Sequence, residues 1–449
     1  MPIRKIVLVK PPERSFFNFG TYSLGVLGAA VRHLAEVVII DATDRPLNAA
    51  VEEAWEYKPE FIGVTVMGLA SVKAGADFLR GLKTAGRTTD SRCSTTSIIA
   101  GGHGASMSPA LLLEAGADAV VMGEGELTLP RILTEGIRPG SPGLACLTDA
   151  GMVLGPPQKL VSPLDRVAPP ARELMPQPPD GVHLMETSRG CPHACAFCET
   201  TRFYGRRWRA HSPERVAVEV KRLVEEHNAW IINIADDNFT ADPQRVLRIC
   251  EVLQRQMLPA FFMVSARGDD LLADSDLLPA MAAARILRVT VGVESLYLPA
   301  ASGVGKPIGI ETYHQAFKRM RELGIFSVAS LIVGLPGENP PARASSVELA
   351  IAAEPDSAHF LPFLPLPGTP LAAKDGGVDP DPADLRDAKK FTQAFFAHPA
   401  VQARLQAAAQ RDDIRGILAR GTLEKHSHYT LASDQLKNLR GDHIEQGGQ

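Results

Sequence analysis

Between residues 181 and 372, six short apolar runs alternate with five stretches of helical spacing, and nothing else in this 449-residue chain restricts its fold as strongly. The runs fall at 183–186, 230–234, 261–264, 287–293, 326–333 and 359–363; the helical patterns fall at 213–226, 243–256, 276–284, 310–323 and 344–353. Strands joined through crossover helices pair in parallel, so six such units predict a partial (β/α)6 barrel of the TIM type. Ligands of such a barrel gather at the carboxyl ends of its strands. That face receives Cys191-Pro-His-Ala-Cys195-Ala-Phe-Cys198 after the first run and Asp236-Asp237-Asn238 after the second. Ser265 and Arg267 end the third, Glu294 ends the fourth, and Ile332 and Gly334 belong to the fifth.

Three thiols within eight residues let one loop wrap a metal centre. Soft thiolates select zinc, copper(I) or iron–sulfur clusters, and a closed zinc site or an ordinary four-iron cluster takes a fourth protein ligand. The next cysteine is Cys250, inside a helical pattern. The simplest reading is a 4Fe–4S cluster with three irons held by Cys191, Cys195 and Cys198, leaving the fourth iron open. A structural zinc loop closed by His193 or His183 is the alternative, and the spacing matches zinc ribbons poorly. Cys93, Cys146 and Cys250 read as bystanders, because six cysteines with three clustered make no disulfide framework.

Residues 1–140 alternate in the same way, with apolar runs at 3–9, 37–42, 61–66, 97–100 and 119–122. Leu24, Leu27, Val31 and Leu34 keep helical spacing between them, as do Val72, Ala76, Leu79 and Leu82. A doubly wound, Rossmann-like α/β domain is expected, with ligands beyond the carboxyl ends of its strands. The residues there are Pro11 to Arg14; Thr65, Met67, Gly68, Leu69 and Ala70; Gly101, Gly102 and His103; and Gly123, Glu124, Gly125 and Glu126. Nine prolines between 141 and 180 mark a connector lying along the surface. From 373 to 449, Leu385, Ala388, Phe391 and Phe395 recur at helical spacing, and a further helix is expected over 401–411. This small helical cap is expected over the open barrel mouth, and His426 and His428 in a polar tail. The domains expected are thus 1–140, 141–180, 181–372 and 373–449.

A net charge of −4 and a pI near 6.3 offer no electrostatic attraction to nucleic acid or an anionic membrane, which leaves a small molecule or a peptide as substrate. The first apolar run is too short for a secretory segment, and no stretch of 18 apolar residues occurs. A cytoplasmic protein without membrane contact is expected, since thiolate-bound iron needs a reducing compartment.

The C-x-x-x-C-x-x-C spacing, with Phe197 before its last cysteine, resembles the radical S-adenosylmethionine (SAM) superfamily. The N-terminal segment, with Gly101-Gly-His and Gly123-Glu-Gly-Glu, resembles the cobalamin-binding domain found in front of such barrels, and Pro365-Leu-Pro-Gly-Thr-Pro370 resembles the segment that closes the barrel in cobalamin-dependent members. The resemblance implies three cofactors: a 4Fe–4S cluster, SAM and cobalamin. It implies that the open iron chelates the amino and carboxylate groups of SAM. It puts Asp236 and Asp237 at the SAM ammonium, Ser265, Arg267 and Glu294 at its ribose and carboxylate, and Ile332 and Gly334 at its adenine. Thr65 and residues 67–70, 101–103 and 123–126 would line the cobalamin. One departure matters: there is no D-x-H-x-x-G, and Pro11-Pro-Glu-Arg-Ser-Phe stands in its place. Cobalt should then lack a histidine below, with the apolar 67–70 loop under the corrin, an arrangement suited to methyl transfer.

The function implied is methyl transfer from SAM, by way of cobalamin, to a carbon of a small molecule or peptide in natural-product or cofactor biosynthesis. A flavodoxin or ferredoxin would supply electrons, and a monomer is expected. Three alternatives stand beside it: a cyclase or rearrangement enzyme of the same family, nonradical methylation of an electron-rich aromatic carbon, and a noncatalytic cobalamin or metal-binding module. The Asp236, Glu294 and Gly334 constellation argues against the last, since a binding module has no use for a SAM pocket. Arg206, Arg207 and Arg209 could meet an anion or merely be solvated.

Overall fold

The structure, a computed structural model, describes residues 4–13, 20–68, 71–88, 95–178, 181–373 and 379–425. Leu69, Ala70, Cys93, His426 and His428 lie outside them. Two compact units result: Met1–Gln177 with Cys198–Ala210 and Pro365–Asp379, and Pro178–Phe197 with His211–Leu364 and Pro380–Gln449.

The first unit is built on a seven-stranded sheet. In chain order its strands are Arg4–Lys10, Ala35–Asp41, Phe61–Thr65, Ser97–Gly101, Ala119–Val121, Leu144–Thr148 and Gly151–Leu154, arranged 2-1-3-4-5-6-7. The first five are parallel and buried on both faces, which is why they read as unbroken apolar runs. Val7, Val9, Ile62, Val64 and Ile98 pack on one face with Val51 of helix Leu47–Glu56 and Leu79 of helix Val72–Thr88. The alternate residues Ile6, Leu8, Ile39 and Ile99 pack on the other with Leu24 and Leu129. The last two strands are antiparallel and fall where the proline count predicted a connector. Pro142, Pro156 and Pro157 flank them rather than interrupt them, so the missing N–H groups cost the ladder nothing. Further on, Val161, Leu164 and Val167 bury against Val26 and tie this segment to helix Tyr22–Val31.

The second unit holds a six-stranded parallel sheet in sequential order: Val182–Met185, Ile231–Ile234, Phe261–Arg267, Ile286–Glu294, Phe326–Val333 and Ser357–Pro362. Two of the connecting helices, Pro213–His227 and Pro243–Gln256, start on the side-chain caps Ser212 and Asp242, each followed by proline, and end on left-handed Asn228 and Met257. Burial alternates along the strands. Val264, Ala266, Val289, Val291 and Val293 are buried, while Met263, Thr290 and Ser330 stay partly accessible and Ser265 is exposed. The second row faces an open lumen.

The C-terminal helices take a different place from the one expected. Helix Pro382–Ala397 packs Phe391 and Phe395 on Phe360 of the sixth strand and serves as that strand's covering helix. Helix Ile414–Lys425 goes to the amino-terminal end of the sheet, where Ile417 packs with Ile231, Val182 and Met263. Arg415 there donates to Asp356 at 2.6 Å and to the Arg321 carbonyl at 2.7 Å. An apolar Ile417 beside a buried arginine suits the closed floor of a barrel and not its wet mouth. Arg415→Met should therefore cost about 3–5 kcal/mol in urea unfolding, because Asp356, 1% exposed, would be left a buried charge without its cation.

Candidate functional site

The loop leading into the cysteines is fixed from below by Asp236. Its carboxylate is 3% exposed and accepts four hydrogen bonds, from the backbone N–H groups of Thr187 (2.6 Å) and Ser188 (2.9 Å) and from their hydroxyls (2.5 and 2.7 Å). Arg245 donates to the Thr187 carbonyl at 2.6 Å. Asp237 is exposed and accepts from the Gly190 N–H at 2.9 Å. Of the adjacent carboxylates expected at the SAM ammonium, Asp236 thus has both oxygens occupied by the chain itself.

Cys191, Cys195 and Cys198 are thiols of intermediate exposure, and Phe197 between them is half-buried. Burial pushes the Cys191 thiol up, and the charges of Asp237, Cys195 and Asp270 add to it, while a backbone hydrogen bond from His193 opposes. The same negative neighbours would favour a cation there. Burial also works against ionisation of Asp270, but hydrogen bonds from His193 and Asn238 and the charge of Arg267 hold its carboxyl below the usual range. The Ala196 N–H donates to the Val304 carbonyl at 2.9 Å, and Gly305 lies against the Ala194 carbonyl and Cys195.

Glu294 ends the fourth strand with φ at +63°, a conformation an acidic residue adopts only when held there. Lys306, 5% exposed, holds it at 2.9 Å. Gly292 makes room for the pair: a Cβ there would stand 2.7 Å from both the Glu294 carboxylate and the Lys306 ammonium. Sequence reading missed Lys306, although it is the sole charge between Leu298 and Ile310. Glu294 and Ile332 border a narrow cleft with Ser295, Tyr297 and Phe360. Gly334, expected under adenine, instead meets the chain: its N–H donates to Glu338 at 2.8 Å, and Asp384 fills the space where its Cβ would be. Arg343 joins Glu338 and Asp384 above it. Ser265 is exposed in the lumen.

In the first unit, Gly102 has φ at +113°, and a Cβ on it would run into the Val66 carbonyl; Gly104 lies as tightly on Gly68. The Gly101–Gly104 turn therefore serves a chain-on-chain approach. Gly102→Ala should cost more than about 2 kcal/mol in thermal or urea unfolding, from strain and overlap together. Gly101→Ala should be near neutral, since its Cβ would sit 3.6 Å from Val121. Gly68 and Gly123, beyond the third and fifth strands, differ from these: among the described residues nothing stands within 4 Å of a Cβ at either. Thr65 is buried, and Met67 accepts from Ser23 at 3.5 Å. The His103 ring stacks on Phe203 at 3.8 Å, with Nε2 3.4 Å from the Tyr204 hydroxyl. Glu124 binds Arg209 through two contacts, of 2.8 and 3.1 Å, and accepts from the Val161 N–H at 2.7 Å. Arg206 and Arg207 are exposed; Gly125 packs on Leu27, and Glu126 is partly exposed.

A model of the radical SAM superfamily matches residues 185–350, and one of the B12-binding domain matches residues 18–133. The chain belongs to the cobalamin-dependent radical SAM enzymes. An uncharacterized methyltransferase of Pyrococcus horikoshii is 29% identical over 390 residues, covering 83% of each chain. An anaerobic magnesium-protoporphyrin IX monomethyl ester cyclase of Rubrivivax gelatinosus is 27% identical over 373 residues, covering 79% of this chain and 65% of its own. The fold resembles that of TsrM, a radical SAM methyltransferase from Kitasatospora setae, with TM-score 0.68 and 21% identity over 82% of this chain and 75% of that one.

The cofactors of this cobalamin-dependent radical SAM enzyme are a 4Fe–4S cluster, SAM and cobalamin. The donor set fits the first. Three thiols on one loop, all of intermediate exposure, can each take a separate iron of a four-iron cluster. The backbone at Gly68 and Gly123, against which no described residue stands, fits a broad ligand beyond the strand ends. Among the described residues, no helix is long and apolar enough to cross a membrane.

Proposed function

We propose that the chain transfers a methyl group from SAM to a carbon centre of a small molecule or peptide. The observation that carries this reading is the joining, in one chain, of a B12-binding domain to a three-cysteine radical SAM motif. The methyltransferase name of the Pyrococcus relative, which spans most of both chains, supports it. When bound, the cluster supplies an electron for reductive SAM cleavage and cobalamin serves as methyl carrier. Cys191, Cys195 and Cys198 are assigned as cluster ligands, and Asp236 as the residue that sets their loop. Exposed Asp237 is assigned to the SAM ammonium, and Ser265 and Glu294 to its ribose and carboxylate. Ile332, which borders the same narrow cleft as Glu294, is assigned to the adenine. The Met67–Gly68 loop and the Gly123–Glu126 turn are assigned to cobalamin. A reducing cytoplasmic compartment, a flavodoxin or ferredoxin donor and a monomeric chain complete the reading.

The cyclase of Rubrivivax favours a second reading, ring formation without methyl transfer. Anaerobically reconstituted protein with reductant, cobalamin and methyl-labelled SAM separates the two. Label that travels with the bound cobalamin supports methyl transfer. Cobalamin that binds and never acquires label moves the assignment to the cyclase, and failure to bind cobalamin sinks both. Cys195→Ala should remove iron and abolish release of 5′-deoxyadenosine; turnover that survives it contradicts the radical mechanism.

A further inference from the structure

Arg267 is one of the residues expected at SAM, yet its side chain bonds to partners of another kind. It ends the third strand of the second unit with a side chain 10% exposed. Nε donates to Asp269 at 2.7 Å, and Nη1 lies 3.8 Å from the Cys195 sulfur, within reach of an N–H···S hydrogen bond. Asp269 is 44% exposed. The fork of the guanidinium thus joins a surface carboxylate to one thiol of the cysteine loop, and the loop is pressed onto the same unit by Gly305 and the Val304 carbonyl. Hydrogen bonds to ligand sulfur and nearby fixed charge are among the strongest controls a protein has over a cluster's potential.

We propose that Arg267 tunes the cluster electrically: its charge on Cys195 stabilises the reduced state, and Asp269 moderates that charge. The inference rests on the reading of Cys191, Cys195 and Cys198 as ligands. One electron passes from a low-potential donor to the cluster, [4Fe–4S]2+ becoming [4Fe–4S]1+. No bond or proton changes, because a guanidinium keeps its proton in both states. The added negative charge is spread over cluster and thiolates, and a cation in contact with one sulfur lowers its energy. A charge-assisted hydrogen bond of about 1.4 kcal/mol corresponds to a factor of ten.

The test is a potentiometric titration of the reconstituted full-length protein, without SAM or cobalamin, using dithionite as donor and the paramagnetic signal of the reduced cluster as readout. With wild-type iron content, Arg267→Gln should hold about tenfold less reduced cluster at a given potential, a midpoint lower by about 59 mV for a one-electron couple. Arg267→Lys keeps the charge and should stay within about threefold of wild type. Asp269→Asn removes the moderating charge and should move the midpoint the opposite way. A packing role for Arg267 predicts no such pair of opposite shifts. Equal midpoints in wild type and Arg267→Gln overturn the proposal. If Arg267→Gln takes up no iron, Asp269→Asn decides, and a midpoint unmoved or lowered overturns it. Wild-type protein that takes up no iron would instead overturn the ligand assignment beneath it.

Discussion

Asp236→Ala should lower folding stability by about 3–5 kcal/mol and leave the cysteine loop unable to keep iron. The substitution strands four donors at once, the N–H groups and hydroxyls of Thr187 and Ser188. The hydroxyls can turn to other acceptors, but the two backbone N–H groups cannot. Thr187 is completely buried and Ser188 is 2% exposed, so no water replaces the carboxylate. Each unsatisfied buried donor costs about 1–3 kcal/mol, and bonds to a charged acceptor are the stronger kind. Asp236→Asn keeps one acceptor oxygen and should cost roughly half as much. Urea unfolding and iron content after reconstitution measure both variants. A loss below about 0.5 kcal/mol for Asp236→Ala would show that the loop holds itself. If Asp236→Asn kept stability and iron yet bound SAM tenfold more weakly, direct contact with the ammonium would be the better account.

The barrel was legible because its strands are buried on one face under helices whose starts are written in the chain, Ser212-Pro and Asp242-Pro among them. The carboxyl-end rule then pointed to Asp236, Arg267 and Glu294 as important, and each does stand at that end. What alternation cannot tell is whether a polar group at a strand end faces a ligand or the chain. Asp236 turns to its own backbone, Gly334 is covered by Asp384, and Gly102 is glycine because Val66 passes beneath it. These depend on the approach of segments distant in sequence, which no local pattern records. The expected cap over the mouth failed for a related reason: Leu385, Ala388, Phe391 and Phe395 announce burial without saying against which strand, and helix Ile414–Lys425 at the other end was not anticipated. Lys306 left a fainter trace, a single charge in an apolar stretch, and such a residue is a candidate for a buried ion pair.

The same distinction governs Glu124, which its Gly-Glu-Gly setting suggested for cobalamin and which the structure pairs with Arg209. The two side chains are 3% and 10% exposed, the Val161 backbone brackets them, donating to Glu124 and accepting from Arg209 at 2.6 Å, and Tyr204 lies 5.5 Å under the guanidinium. Breaking such a pair costs more than making it contributes, because the survivor keeps its desolvation penalty and loses its partner. Glu124→Leu and Arg209→Met should each destabilise by about 3–5 kcal/mol, whereas the double variant leaves no lone buried charge and should lose much less than the sum. A double-mutant cycle in urea should therefore give a coupling of about 2 kcal/mol or more. Burial shields the pair from counterions, so the coupling should persist in roughly 0.5 M salt, where an exposed pair would fade. Additive losses, or a coupling that vanishes with salt, would return Glu124 to the list of residues free to meet a ligand. A strong, salt-resistant coupling would mean that this turn meets cobalamin through its backbone and the open face of Gly123 instead.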